Sequence, residues 1–246
     1  MITPEVGEEA LRDGKIDIVV LGRALLADPE LPNKVVSGRV EEIRPCIYCY
    51  VCRDSRFTGG VLRCSVNAAL GREKEYTLRP VNKAKQVVVV GSGPAGMEAA
   101  RVAAMRGCGV RLYERQKKIG GQLLVASVPP SKQRIGKLND YFSTQLKKFG
   151  VEIEVGKEMT PDILREVKAD ALIVATGIRT VIPEIPGMDQ TDAILAQQVL
   201  AGEVEVGERV VIIGGGMVGC ETAEFLEEQG KKVTVAGLVE KSPKYG

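Results

Sequence analysis

Hydrophobic positions along this 246-residue chain follow two alternating rhythms. Short β-branched runs, VVVV within Gln86–Val90 and VVII within Arg209–Ile213, read as strands. Each is followed by a glycine-rich turn and then by apolar residues at helical spacing. GVRLYE (Gly109–Glu114), VEIEV and ADALIVATG read as further strands. Gln133–Gly150 reads as a helix, with Ile135, Leu138, Phe142, Leu146 and Phe149 on one side. Glu208–Gly237 repeats the strand–turn–helix–strand plan begun at Gln86, and this internal repetition is the main organising signal.

The region before Gln86 is patterned differently. ITPEVGEEALRDGK predicts a short helix with Val6, Ala10 and Leu11 on one face and Gly14 as its stop. Ile16–Arg23 predicts a buried parallel strand, and Asp28–Gly38 a capped helix. The stretch 45–80 reads as loop. The fold class expected is α/β, in four pieces: a strand–helix unit over 1–44, a cysteine-bearing segment over 45–80, a first Rossmann-like unit over 81–205 and the start of a second over 206–246. The strand–helix unit over 1–44 cannot bury both its faces alone, and the second repeat has too few strands to close a dinucleotide-binding sheet, so the chain reads as incomplete at both ends.

The turns carry the first chemistry. Gly91, Gly93 and Gly96 form G-x-G-x-x-G between a strand and a helix opened by Pro94 and Ala95. The first glycine permits the tight turn, the second lets a pyrophosphate approach the backbone, and the third lets helix and strand pack closely. Amides at the helix start, aided by the helix dipole, then hold phosphate. Glu114 ends the next strand, twenty-three residues after Gly91, where a carboxylate accepts hydrogen bonds from ribose hydroxyls; Arg115 follows it. Gly214, Gly216 and Gly219 repeat the triplet, but Gly237 stands where the acidic residue is expected. Lys231, Lys232 and Lys241 are the nearest cations, so the choice between NADH and NADPH stays open, as does a second unit that kept its turn without its ligand.

Composition removes several function classes. The chain has no histidine, so Ser-His, Cys-His and His-ligated zinc chemistry are excluded within it. With 34 basic and 32 acidic residues the net charge is +2, which gives no basis for a nucleic-acid or anionic-membrane partner. No apolar run reaches the ~18 residues of a membrane span. MITPEVGEEALRDG lacks the basic head and apolar stretch of a secretory signal, which points to the cytoplasm, where disulfides seldom persist.

Cys46, Cys49, Cys52 and Cys64, four of the six cysteines, give C-x2-C-x2-C-x11-C. Disulfides, zinc and an iron–sulfur cluster are the three readings. A zinc ribbon usually brings two separated C-x-x-C knuckles, and the second is absent. Three cysteines at a repeat of three, closed by a distant fourth, are the habit of ligands to a [4Fe–4S] cube. Cys108 and Cys220 read as small packing residues.

Two dinucleotide turns in one chain imply hydride traffic between a nicotinamide and a flavin. Their order resembles that of flavoprotein disulfide reductases, with FAD first and the NAD(P)H unit inserted. Under that resemblance GGQL, with Gly121 and Gln122, runs beside the FAD, and Ala175, Thr176 and Gly177 form the strand end that returns to it. The C-x-x-C often found near the flavin in that family is absent from both units.

The whole arrangement resembles the iron–sulfur flavoenzymes of the 2,4-dienoyl-CoA reductase, enoate reductase and trimethylamine dehydrogenase group. The residues that carry the resemblance are VVLGRALLADPELPNKVVSGR, IRPCIYCYVC, RCSVNAALGREKEY, VVVVGSGPAGMEAA, YERQKKIGGQL, LIVATG and VVIIGGGMVGCETAEFL. It implies that residues 1–44 are the end of an FMN-binding TIM barrel, with Gly22 and Arg23 at the FMN phosphate, and that the four cysteines ligate a [4Fe–4S] cluster. FMN itself would sit on barrel strands that precede these. Tyr48 departs from the group's usual glycine. Electrons would pass from NAD(P)H through FAD and the cluster to FMN and an activated C=C bond of an enoate or enoyl-CoA-like substrate. No catalytic acid or base is assigned. The resemblance leaves room for a homo-oligomer of the full-length enzyme. The rival expectations are a trimethylamine-dehydrogenase-like enzyme holding ADP for structure, and a non-catalytic ADP-binding assembly module.

Overall fold

The computed structural model describes residues 4–182, 184–188 and 191–237. Helix α1 (Pro4–Arg12) forms as the sequence predicts, with Pro4 in its first turn and Gly14 at φ +64 after its end. Helices α2 (Arg23–Ala27) and α3 (Leu31–Val36) and a 3-10 turn at Val40–Glu42 follow.

The expected strand at Ile16–Arg23 does not form. Ile18 and Val20 are 76% and 81% exposed, and no described strand pairs with this run. Composition favours a strand here, but a ladder exists only where a neighbour exchanges backbone hydrogen bonds. Arg23 opens α2 instead. The helix expected over Asp28–Gly38 is shorter, because Asp28 is buried with its carboxylate committed elsewhere. It pairs with Lys34 Nζ at 2.6 Å and accepts the Arg44 N–H at 2.7 Å and the Glu30 N–H at 3.1 Å.

The cysteine segment is not all loop. Helix α4 (Val51–Phe57) carries Cys52 and starts after Tyr50, which adopts φ +60. Seven residues are too few to show a helical period in the sequence.

The first dinucleotide unit is a four-stranded parallel sheet of order β3-β2-β1-β4, built from β1 (Gln86–Val90), β2 (Gly109–Glu114), β3 (Glu152–Val155) and β4 (Ala171–Val174). Val87 lies between Val110 and Ala171 in the register, and Val90 between Tyr113 and Val174. The helices are α5 (Pro94–Met105), α6 (Gln122–Ala126), α7 (Gln133–Lys148) and α8 (Pro161–Val167). Val87, Val89, Met97, Leu112, Phe142 and Leu146 lie at the heart of the core, where sheet meets α5 and α7. Each such side chain contributes roughly 1.5–3 kcal/mol by leaving water. Ile47 and Val66, which flank cysteines of the preceding segment, pack against this same core.

After α9 (Ala196–Leu200), strand β5 (Arg209–Ile213), helix α10 (Met217–Glu228) and strand β6 (Lys232–Ala236) form the second unit as a two-stranded parallel sheet. The α/β class with parallel, Rossmann-like units is therefore as expected. Among the described residues no helix is long and apolar enough to cross a membrane.

Candidate functional site

The two glycine turns have the same geometry, and each glycine has a distinct physical reason. Gly91 sits at φ +99, and a Cβ there would lie 2.3 Å from the Ala175 carbonyl oxygen. A Cβ on Gly96 would lie 1.8 Å from the Gly91 carbonyl oxygen, so only glycine lets α5 reach the turn. A Cβ on Gly93 would meet nothing within 4 Å. The middle glycine thus faces open space beside the start of α5, where the amides of Ala95 and Gly96 have no helical acceptor by construction. Pro94, at the first helical position, has no N–H to leave unpaired.

The other predicted residues converge on this turn. Gly121, at φ +52, backs onto Gly93, and the Gly120 N–H donates to the Ser92 carbonyl at 3.0 Å. Gln122 begins α6. Ala175 is tied to β1 by its N–H to the Val90 carbonyl at 2.8 Å, with Thr176 exposed and Gly177 at φ +78 beyond it.

Glu114 is 7% exposed and already well occupied. One carboxylate oxygen accepts the Ser92 N–H at 2.8 Å and the Ser92 hydroxyl at 2.7 Å; the other accepts the Gln116 N–H at 2.8 Å. Burial pushes the carboxyl upward, but the hydrogen bonds from Gln116 and Ser92, with the neighbouring Arg115 charge, hold it below its ordinary value of 4.5. Two oxygens offer about four acceptor positions, so capacity for a ribose hydroxyl remains. Ser92 was not singled out in the sequence, since it occupies a variable position of the triplet and only the fold brings it to Glu114.

In the second unit Gly214 lies at φ +114 and donates its N–H to the Ala236 carbonyl at 2.7 Å. A Cβ on Gly219 would fall 1.9 Å from the Gly214 carbonyl oxygen, while Gly216 faces open space. The Ser92–Glu114 clasp is replaced here as a pair, by Gly215 and Gly237. A Cβ on Gly237 would be 2.9 Å from the Gly215 nitrogen. Lys231 and Lys232 are too far from the turn to read a ribose phosphate: they precede or begin β6, whereas the turn meets its other end, about 13 Å along a five-residue strand. Lys231 instead donates to the Val206 carbonyl at 2.7 Å. Lys241 lies outside the described residues.

Cys46, Cys49, Cys52 and Cys64 line one pocket together with Arg23, Ile47, Tyr48 and Tyr50. All six cysteines are free. Burial pushes the Cys46 thiol up from 9.0, against the Tyr48 backbone N–H and the Arg23 charge, which pull it down. The Cys49 thiol lies 3.2 Å from the Ser65 hydroxyl. Among the described residues, no three His, Cys, Asp or Glu side chains are gathered as ligands of a single metal ion. Four thiols lining one pocket form an all-sulfur donor set, the set that iron–sulfur clusters take.

Arg23 is turned toward this cysteine pocket. Its guanidinium lies 4.3 Å from the Tyr48 ring centre and 5.0 Å from that of Tyr50, and the Tyr50 phenol reinforces its charge. Its Nη1 is buried without a hydrogen-bond partner among the described residues. Gly22 has open space around it. These two residues by themselves do not enclose a flavin.

Comparison with known proteins places these features in a family. The pyridine nucleotide-disulphide oxidoreductase model matches residues 85–244. An NADH oxidase of Thermoanaerobacter brockii is 43% identical over 243 residues, covering 96% of this chain and 37% of the relative. A cinnamate reductase of Clostridium sporogenes is 42% identical over 239 residues, covering 97% and 36%. The solved structure of a 2-naphthoyl-CoA reductase in complex with 2-naphthoyl-CoA superposes with a TM-score of 0.92 at 38% identity, over 95% of this chain and 36% of that one. The chain thus spans little more than a third of these relatives' length.

Proposed function

We propose, from the premise that the chain belongs to the pyridine nucleotide-disulphide oxidoreductase family and is of the enoate/dienoyl-CoA reductase-like kind, that it is the electron-input part of an NAD(P)H-dependent iron–sulfur flavoprotein oxidoreductase. The observation that carries the reading is the four-thiol pocket, whose flanking residues Ile47 and Val66 pack on the core of the first dinucleotide unit.

In this reading Gly91, Gly93 and Gly96, with the amides of Ala95 and Gly96, hold the FAD pyrophosphate, and Glu114 fixes the adenosine ribose. Gly214, Gly216 and Gly219 do the corresponding work for NAD(P)H. The four cysteines, as thiolates, hold a [4Fe–4S] cluster. When bound, these groups would supply the conversion of a hydride's electron pair into single electrons, bound for FMN and an activated C=C bond of an enoate or enoyl-CoA-like substrate. The chain's own residues bind and orient; none of them is assigned a proton transfer. The open space at Gly216 supports nicotinamide nucleotide binding over the amine-dehydrogenase alternative, in which that turn has no ligand.

Anaerobically purified protein is expected to contain iron and acid-labile sulfide, with flavin absorbance that bleaches on adding NADH or NADPH. Zinc, or no metal, would overturn the cluster. Iron with no bleaching by either nucleotide would favour structural ADP.

A further inference from the structure

Tyr48 stands between Cys46 and Cys49 at φ +56, in the left-handed region. A tyrosine enters that region at a cost of about 1–3 kcal/mol, so something around it must hold it there. Two guanidiniums lie over its ring: Arg23 at 4.3 Å and Arg134 at 4.7 Å from the centre. Arg23 opens α2 in the N-terminal segment, and Arg134 lies in the first turn of α7 in the first dinucleotide unit. Each such contact contributes about 0.5–2 kcal/mol, which offsets the backbone cost.

Two like charges on one ring repel, and the arrangement is favoured where negative charge stands close by. The Arg23 side chain lines the same pocket as the four cysteines, and its buried Nη1 has no hydrogen-bond partner among the described residues. That nitrogen is therefore free to donate to a bound group, while the guanidinium also bonds the Tyr50 phenol.

We propose that Tyr48 is a positioning residue that holds Arg23 and Arg134 as a cationic pair against the group bound by Cys46, Cys49, Cys52 and Cys64, and so raises that group's reduction potential. This rests on the reading that the group is an iron–sulfur cluster. An added electron makes the thiolate-bound site more negative by one charge, and fixed positive charge nearby lowers the cost of adding it.

The test is a dithionite titration of the anaerobic protein followed by electron paramagnetic resonance, with iron and sulfide assayed on each sample. Tyr48→Phe keeps the ring and is expected to keep the parent potential. Tyr48→Gly relaxes the backbone but removes the ring, and Arg134→Met removes one charge from outside the cysteine loop while Arg23 stays on the Tyr48 ring. Both are expected to shift the reduction equilibrium about tenfold toward the oxidised form, about 59 mV for one electron. Parent potentials in both variants at parent iron content would overturn the proposal. If Tyr48→Gly loses its iron, Arg134→Met decides alone, by whether its potential falls. A parent protein without iron and sulfide would sink the cluster reading, and this inference with it; that outcome is distinct from a cluster that is present and indifferent to the arginines.

Discussion

A buried carboxylate persists as an anion only where donors occupy its oxygens, and Glu114 meets that condition through Ser92 and Gln116. Its role in the fold is therefore structural: it clasps the turn proposed to cradle the pyrophosphate. Glu114→Gln turns one acceptor into a donor facing N–H groups and is expected to cost about 1–3 kcal/mol of stability at pH 7. The pH dependence has a fixed sign. A carboxyl held below its ordinary value of 4.5 in the fold stabilises it above that value, and the stabilisation is lost as pH falls through the depressed value. Urea unfolding of parent and variant should accordingly converge in acid. A penalty of the same size at pH 7 and at pH 3 would show that Glu114 acts without its charge.

At the scale of the element, the strand–turn–helix units separate glycines that shape the fold from glycines that leave room. Gly96→Ala and Gly219→Ala drive a methyl into a carbonyl oxygen of their own turn. They should destabilise their units by about 1–3 kcal/mol or more, visible as a lower Tm. Gly93→Ala and Gly216→Ala meet open space at ordinary extended φ, −66° and −75°, so the parent Tm is expected to hold. Their effect should fall on binding instead: FAD retention for Gly93→Ala and NAD(P)H affinity for Gly216→Ala, read by equilibrium dialysis. Undiminished binding in these two variants would mean that the open space is not where a nucleotide lies.

Over the whole molecule, contacts remote in sequence fasten the cysteine segment to its neighbours. Arg44 donates to the Tyr141 hydroxyl at 3.2 Å and to Asn67 Oδ1 at 3.4 Å, and the Asn67 amide donates to the Leu26 carbonyl at 2.9 Å. Lys148 on α7 reaches Glu42, and Lys132 pairs with Glu221 of the second unit at 2.6 Å. The Lys132–Glu221 pair is part-exposed and contributes at most about 1 kcal/mol. Arg44 joins three segments at once, so Arg44→Ala should speed hydrogen exchange in residues 45–80 while the β1–β2 core stays protected. Equal protection of both regions would show that the packing of Ile47 and Val66 and the Asn67–Leu26 hydrogen bond fasten the segment without Arg44.

Strand–turn–helix units, the glycine triplets and the cysteine quartet were legible in the chain because each is a local pattern, fixed by periodicity or spacing within some thirty residues. Pairing is different in kind. Ile16–Arg23 has strand composition and forms no strand, since a ladder needs a partner that composition cannot supply. Ser92 meets Glu114 across 22 residues, and Arg134 meets Tyr48 from a helix in another unit. Local chemistry therefore set which turns and ligands exist, while tertiary packing alone decided which charges and rings surround them. Those neighbours are joined through space, and nothing in their order along the chain announces the contact.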